Sequence, residues 1–237
     1  MERYWTLISW GAEGWLDEIA HGIFVTVSLA LATLPFGLLI GFLVALAKQS
    51  EEPMLRLAGN IYTTIFRGLP ELLTLFVIFF GGPLILQAVV QLVSPGTTVE
   101  VNSFVAGMVA LGLVFSSYAS EVFLSAFRAI PKGQYEGGYS IGLSYGTTMR
   151  LVVLPQLVRI ALPGLSNLWL ILLKDTALVQ AIGLSDLLRQ TYIASRVSKE
   201  AFLFYGLACL IYLVLAIVSS VFINRIERSV GRREAAR

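Results

Sequence analysis

Apolar residues fall into five long uncharged stretches. Gly22 to Ala47 runs for 26 residues, Leu72 to Val99 for 28, Val101 to Ser120 for 20 and Ala201 to Asn224 for 24 without Asp, Glu, Lys or Arg. Ile160 to Ser185 adds 26, interrupted only by Lys174-Asp175. A hydrocarbon layer about 30 Å thick needs roughly 20 apolar helical residues, so each stretch predicts a transmembrane helix. Gly81-Gly82-Pro83 and Ser94-Pro95-Gly96 punctuate the second. Pro35 predicts a kink in the first. Gly37 and Gly41 form the GxxxG spacing that lets two helix backbones approach closely in lipid. That spacing suits a contact within the chain as well as one between chains.

Composition agrees with this pattern. Of 237 residues, 57% are hydrophobic and 14% charged, and mean hydropathy is +0.79. Soluble domains carry about 25% charged residues, so the chain reads as one membrane-embedded all-α unit over 1–237. Its formal net charge of +2 creates no field for nucleic acid. The single cysteine, Cys209, cannot close an internal disulfide, and with one histidine, His21, no His/Cys metal cluster is expected. No cofactor is expected either.

Lysine and arginine orient the spans. With the N-terminus outside, the inside receives eleven: Lys48, Arg56, Arg128, Lys132, Arg150, Arg159, Arg225, Arg228, Arg232, Arg233 and Arg237. The outside receives four: Arg3, Arg189, Arg196 and Lys199. This places the C-terminus, with its basic tail over 225–237, in the cytoplasm. Residues 1–21 carry Glu2, Glu13, Asp17 and Glu18 and do not read as a signal peptide. Trp5, Trp10 and Trp15 instead predict an outer-face segment with indoles at headgroup depth.

Five charges lie in apolar context: Arg67, Glu71, Glu121, Lys174 and Asp175. Each costs about 2.5–3.5 kcal/mol at mid-depth, which makes them candidates for a substrate path, with Asn167 beside them on the fourth span. Arg67 and Glu71 have the four-residue spacing of a helical ion pair, but Gly68 and Pro70 predict a break there. Broken helices at depth frame transport sites. Glu121 and Arg128 share a helix face two turns apart, so internal pairing is the rival role for these acids. Lys174 suits either a substrate carboxylate or a helix-to-helix lock.

Catalytic motifs fail. Gly142-Leu143-Ser144-Tyr145-Gly146 matches GxSxG, but that motif needs a strand, a turn and a histidine base. There is no GxxxxGK[ST] for ATP and no HExxH. The chain is therefore not expected to be an enzyme.

The segment 128–159 is positive, rich in small residues and bracketed by Pro131 and Pro155. It reads as a short helical structure on the membrane surface or as a flexible loop. Its EGGYSIGLSYGTTMRLVVLP run resembles the EAA signature of ABC-importer permease subunits. Glu136, Gly142, Leu154 and Pro155 fall on that pattern. Gly137 and Gly138 stand where alanines are usual, and Val152 where isoleucine is usual. Each glycine costs a helix up to about 1 kcal/mol relative to alanine. TIFRGLPELLTLFVIFFGGP, from Thr64, and ALPGLSNLWLILLKDTALVQAIGLSDLL, from Ala161, are similar to segments of polar amino acid permeases. The nearest branch handles histidine, basic amino acids and opines (octopine, nopaline).

This resemblance implies a type I ABC-importer permease fold with five transmembrane helices and cytoplasmic coupling (EAA) helices, in the inner membrane. It implies a second permease (or a second copy), an ABC ATPase dimer on the EAA helices and a periplasmic substrate-binding protein. Glu136, Gly137, Gly138, Gly142, Leu154 and Pro155 would then couple to the ATPase. A stand-alone ion-coupled carrier or channel is the alternative, and a hydrolase using Ser144 is a distant third.

Overall fold

The computed structural model describes residues 2–11, 13–94, 96–98 and 100–235, with backbone alone at 2, 3 and 230–235. Among the described residues every regular element is helical. The elements are α1 (Glu2–Leu7), α2 (Leu16–Gln49), α3 (Pro53–Gly68), α4 (Glu71–Phe76), α5 (Gly82–Val93), α6 (Ser103–Ala129), α7 (Lys132–Ser140), α8 (Tyr145–Thr148), α9 (Leu154–Asp175), α10 (Leu187–Ser198) and α11 (Ala201–Ala235). Five helical stretches are long and apolar enough to cross a membrane: Leu16–Gln49, Glu71–Val93, Ser103–Ala129, Tyr145–Ile182 and Ala201–Ser229.

Four of the five spans are longer than their uncharged stretches, whereas the second, Glu71–Val93, is shorter than Leu72–Val99. The first helix starts at Leu16, inside the segment expected to lie along the surface, and passes through Pro35 without interruption. The indoles divide. Trp5 and Trp10 stay outward, but Trp15 packs edge-on against Phe204 of α11 with ring centroids 6.3 Å apart. Arg237 and the side chains of Arg3, Arg232 and Arg233 lie outside the described residues.

Two spans widen into π-helical turns, Val77–Gly81 and Met149–Val153. Each is followed by a proline at the second position of the next helix, Pro83 or Pro155. Proline has no N–H for the carbonyl four residues back, here Phe79 or Leu151. A π turn absorbs the lost bond without ending the helix.

The core is built on α2 against α6, which run parallel. Gly37 and Gly41 of α2 lie against Phe115, Ser116 and Ala119 of α6. In return, Gly112 of α6 receives the ring of Phe36. The GxxxG pair therefore packs inside the chain. Buried hydroxyls bond their own helix carbonyls, as from Thr33 to Leu29 (2.7 Å) and Ser117 to Val114 (2.6 Å). They need no partner across the interface.

At the end of the bundle remote from α7 and α8, α10 begins against α2. The Leu187 amide donates to Thr26 Oγ1 at 3.1 Å. The fully buried Asp186 caps α10, accepting from the amides of Leu188 (3.2 Å) and Arg189 (3.0 Å). Burial pushes the Asp186 carboxyl up to about 6, against the pull of those amides and the Arg189 cation.

Two predictions follow from this packing. A Cβ on Gly41 would stand 2.9 Å from the Ser116 carbonyl, which is backbone and cannot turn away. On Gly37 it would meet the Phe115 ring at 2.5 Å, which can. Gly41→Ala should therefore lower the unfolding temperature in detergent more than Gly37→Ala. The second concerns acid. An unfolded aspartate titrates near about 3.9, so folding takes up a proton at Asp186 between about 4 and about 6. Its stabilising contribution is fullest below about pH 4 and fades as pH rises through 6. Asp186→Asn, which keeps a capping oxygen, should remove this slope from thermal unfolding measured against pH. Asp186→Ala should also lose about 1 kcal/mol of capping.

Candidate functional site

Two groups of residues stand out, one on the loop between α6 and α9 and one among the intramembrane charges.

The loop is folded. α7 ends in a Schellman motif: the Leu143 amide bonds the Gly138 carbonyl (3.1 Å) and the Gly142 amide bonds the Tyr139 carbonyl (2.9 Å). Gly142 sits at φ +82°, where a side chain would be strained. It makes the sharp bend between α7 and α8. Ser144 then caps α8, its Oγ accepting from the Thr147 amide at 3.4 Å. That is its role in the GxSxG match. His21 lies near the start of α2, at the far end of the bundle, so no histidine base meets it.

The two glycines at alanine positions differ. Gly137 faces open space, whereas a Cβ on Gly138 would meet Thr148 Cγ2 at 2.6 Å and Oγ1 at 2.7 Å. Gly138 is therefore small because α7 packs directly on α8. Thr148 Oγ1 is buried there with no hydrogen-bond partner among the described residues. Gln156 Nε2 donates to Gln134 Oε1 (3.0 Å), tying α7 to α9. Leu154 and Pro155 open α9 just past the π turn. Glu136 is exposed. On the same loop Ile141 is 76% and Tyr145 63% exposed, with Tyr139 and Leu151 also outward. Burial raises the Tyr135 phenol, with Tyr145 and Tyr139 adding to the shift. An apolar, aromatic rim around a carboxylate on a rigid loop is suited to docking another protein.

The charges pair differently from the sequence expectation. Arg67 does not bond Glu71, and Glu121 does not bond Arg128. Instead Lys48 Nζ makes an ion pair with Glu121 and donates to Thr63 Oγ1 at 3.2 Å. Arg67 Nη1 lies 3.4 Å from the same Glu121 oxygen, and its guanidinium carbon lies 5.5 Å from the Tyr118 ring centroid. Lys48 reads as a loop charge in the sequence, yet its side chain is only 9% exposed. The physical reason for the switch is the break. α3 ends at Gly68, Leu69 is extended and α4 restarts at Glu71, so Arg67 and Glu71 no longer share a helix face. Tyr62 fastens α3 to α6, donating to the Leu113 carbonyl (3.1 Å) and contacting Ser116 Oγ (2.6 Å).

Glu71 lies within electrostatic reach of Asp175, near the end of α9, with Lys174 beside them. Among the described residues neither carboxylate has an ion-pair partner within 4.0 Å. Asn167 and Lys174, seven residues apart, share an exposed face of α9. Asn167 is not drawn into the Glu121 cluster. Sequence reasoning missed Lys48 and Tyr118. Lys48 is 73 residues from Glu121, and no local spacing reveals such a pair.

Residues 37–232 match the model of the family described as binding-protein-dependent transport system inner membrane component. The chain belongs to this family. It is 40% identical to the nopaline transport system permease protein of Agrobacterium fabrum, over 96% of this chain and 97% of the relative. It is 37% identical to the histidine/lysine/arginine/ornithine permease of Salmonella typhimurium, over 94% and 98%. A crystal structure of an amino acid ABC transporter with histidines superposes with a TM-score of 0.75 at 30% identity, covering 90% of this chain and 94% of that one. The MetNI methionine ABC transporter, inward facing, shares the fold at TM-score 0.70 and 18% identity. The chain is thus a multi-pass inner-membrane permease subunit of an ABC importer, with the all-helical fold of that class, and is not itself the ATPase.

The packing predicts that Gly138→Ala disrupts the loop and lowers thermal stability, because the new methyl would press on Thr148 at 2.6–2.7 Å. Thr148→Ser, which removes Cγ2, should recover part of the loss. Gly137→Ala should be neutral or stabilise α7 by up to about 1 kcal/mol. Thermal unfolding of the three variants checks the order.

Proposed function

We propose that this subunit imports a cationic amino acid or a guanidinium-bearing opine, taking substrate from a binding protein and energy from a separate ABC ATPase. The observation that carries this reading is the pair Glu71 and Asp175. Two neighbouring carboxylates in the membrane-spanning region, without ion-pair partners among the described residues, are costly when empty and favourable around a cation. Lys174, exposed beside them and on the face of Asn167, suits the substrate carboxylate. The transport systems to which the relatives belong (nopaline, octopine, arginine, and histidine/lysine/arginine/ornithine) support the same class.

The rest of the assembly follows from charge and surface. The lysine and arginine distribution supports a topology with α7 and α8 in the cytoplasm and the N-terminus in the periplasm. A dimer of ATPase subunits docks on the rim around Glu136, a second permease or copy closes the path, and the binding protein meets the opposite face. ATP binding and the liganded binding protein each favour one of two conformations, and that differential drives transport. Gly142 and the Gly138–Thr148 contact keep the loop stiff enough to transmit the closure. The whole chain, 1–237, acts as one permease domain.

ATPase activity in proteoliposomes tests this. The chain is assembled with its ATPase and permease partners, and binding protein is added with arginine, octopine, nopaline or glutamine. Stimulation by a cationic or guanidinium ligand is expected, with Glu136→Ala losing most of it while the complex still assembles. Stimulation by glutamine alone would sink the cation reading. Unchanged stimulation in Glu136→Ala would remove that residue from coupling.

A further inference from the structure

We infer that Glu121 and the ring of Tyr118 form a guanidinium seat, that Arg67 fills it in this conformation, and that a substrate guanidinium takes it by displacing Arg67. The inference rests on the cationic-substrate reading above and adds how the path is closed when empty.

Tyr118 and Glu121 are three residues apart on α6, so they share one face. Arg67 meets both at once, its Nη1 3.4 Å from the carboxylate and its guanidinium carbon 5.5 Å from the ring centroid. A carboxylate beside an aromatic face is what a free guanidinium recognises, through charge-assisted hydrogen bonds and cation–π attraction. Arg67 thus occupies the seat as an internal copy of the ligand.

The charge count says which group leaves. Two cations share one carboxylate. Lys48 is almost fully buried, bonded to Thr63 as well, and holds Glu121 from α2. Arg67 is the surplus cation, 45% exposed and held at the longer distance. A Cβ on Gly68 would meet nothing within 4 Å, and the helix stops there before Pro70. Four residues on, Glu71 lies beside Asp175, with no cation within 4.0 Å of it among the described residues. The exchange replaces one guanidinium by another, so no charge is stranded in a poorly solvated place. A neutral amino acid cannot make the exchange, which turns Arg67 into a selectivity element.

The test measures ligand binding to the assembled permease–ATPase complex in nanodiscs without binding protein, using L-arginine, guanidinium chloride and L-glutamine as probes. Arg67→Gln should tighten L-arginine and guanidinium by about fivefold or more, the low end of ordinary coupling, and leave L-glutamine unchanged. Adding Tyr118→Leu should abolish the gain. Weaker or unchanged L-arginine binding in Arg67→Gln, or an equal shift for L-glutamine, overturns the seat. If Arg67→Gln does not assemble, Arg67→Lys is read instead. Lysine lacks the planar fork and should hold the seat less well, so L-arginine should again bind tighter, and no change overturns the proposal. Stimulation of the wild-type ATPase separates the two readings. A response to arginine with no gain in the variants removes the seat alone, whereas a response only to glutamine removes both.

Discussion

The close approach of α2 to α6 is the contact on which the rest of the fold depends. In lipid, one apolar helix gains little by exchanging acyl chains for another apolar helix, so association depends on how deeply two surfaces interlock. Gly37, Gly41 and Gly112 supply the depth, and Phe115 and Phe36 fill it from opposite sides. Because the two helices run parallel in this register, Lys48 at the end of α2 arrives level with Glu121 near the end of α6. The ion cluster is a consequence of glycine packing many residues away.

Interruptions of the helices are as important as the helices. The break after Gly68 separates Arg67 from Glu71 and sends them to different partners, one to Glu121 and one towards Asp175. The π turns before Pro83 and Pro155 serve a related purpose. They let a proline sit within a continuous span while loosening the backbone next to it. One such turn joins α4 to α5, beside the charged segment. The other joins α8 to α9, where the loop enters the fourth span.

The loop is stiff where it has to carry a load. Gly142 turns the chain in a conformation closed to other residues without strain, and Gly138 lets α7 rest on Thr148 of α8. The hydrogen bond from Gln156 to Gln134 ties α7 to α9. The exposed aromatic and aliphatic rim around Glu136 gives that unit a handle.

Much of this was legible in the chain. Five spans follow from uncharged runs, since a bilayer imposes a length that composition alone reports. The bend at Gly142 follows from its place in the motif, and the break before Glu71 follows from Gly68 and Pro70. All of these are local properties, set within one helix or one turn. Ion-pair partners were not legible. Sequence spacing offered Arg67 to Glu71 and Glu121 to Arg128, but side-chain pairing across helices depends on register, and register depends on three glycines elsewhere. The same holds for Trp15, which packs against Phe204, and for Gly138, whose small size answers to Thr148. Lys48 shows the division most clearly. By sequence it is a loop charge at the end of an apolar run, and only the packing of α2 on α6 buries it against Glu121, because a cation at that depth must find a carboxylate.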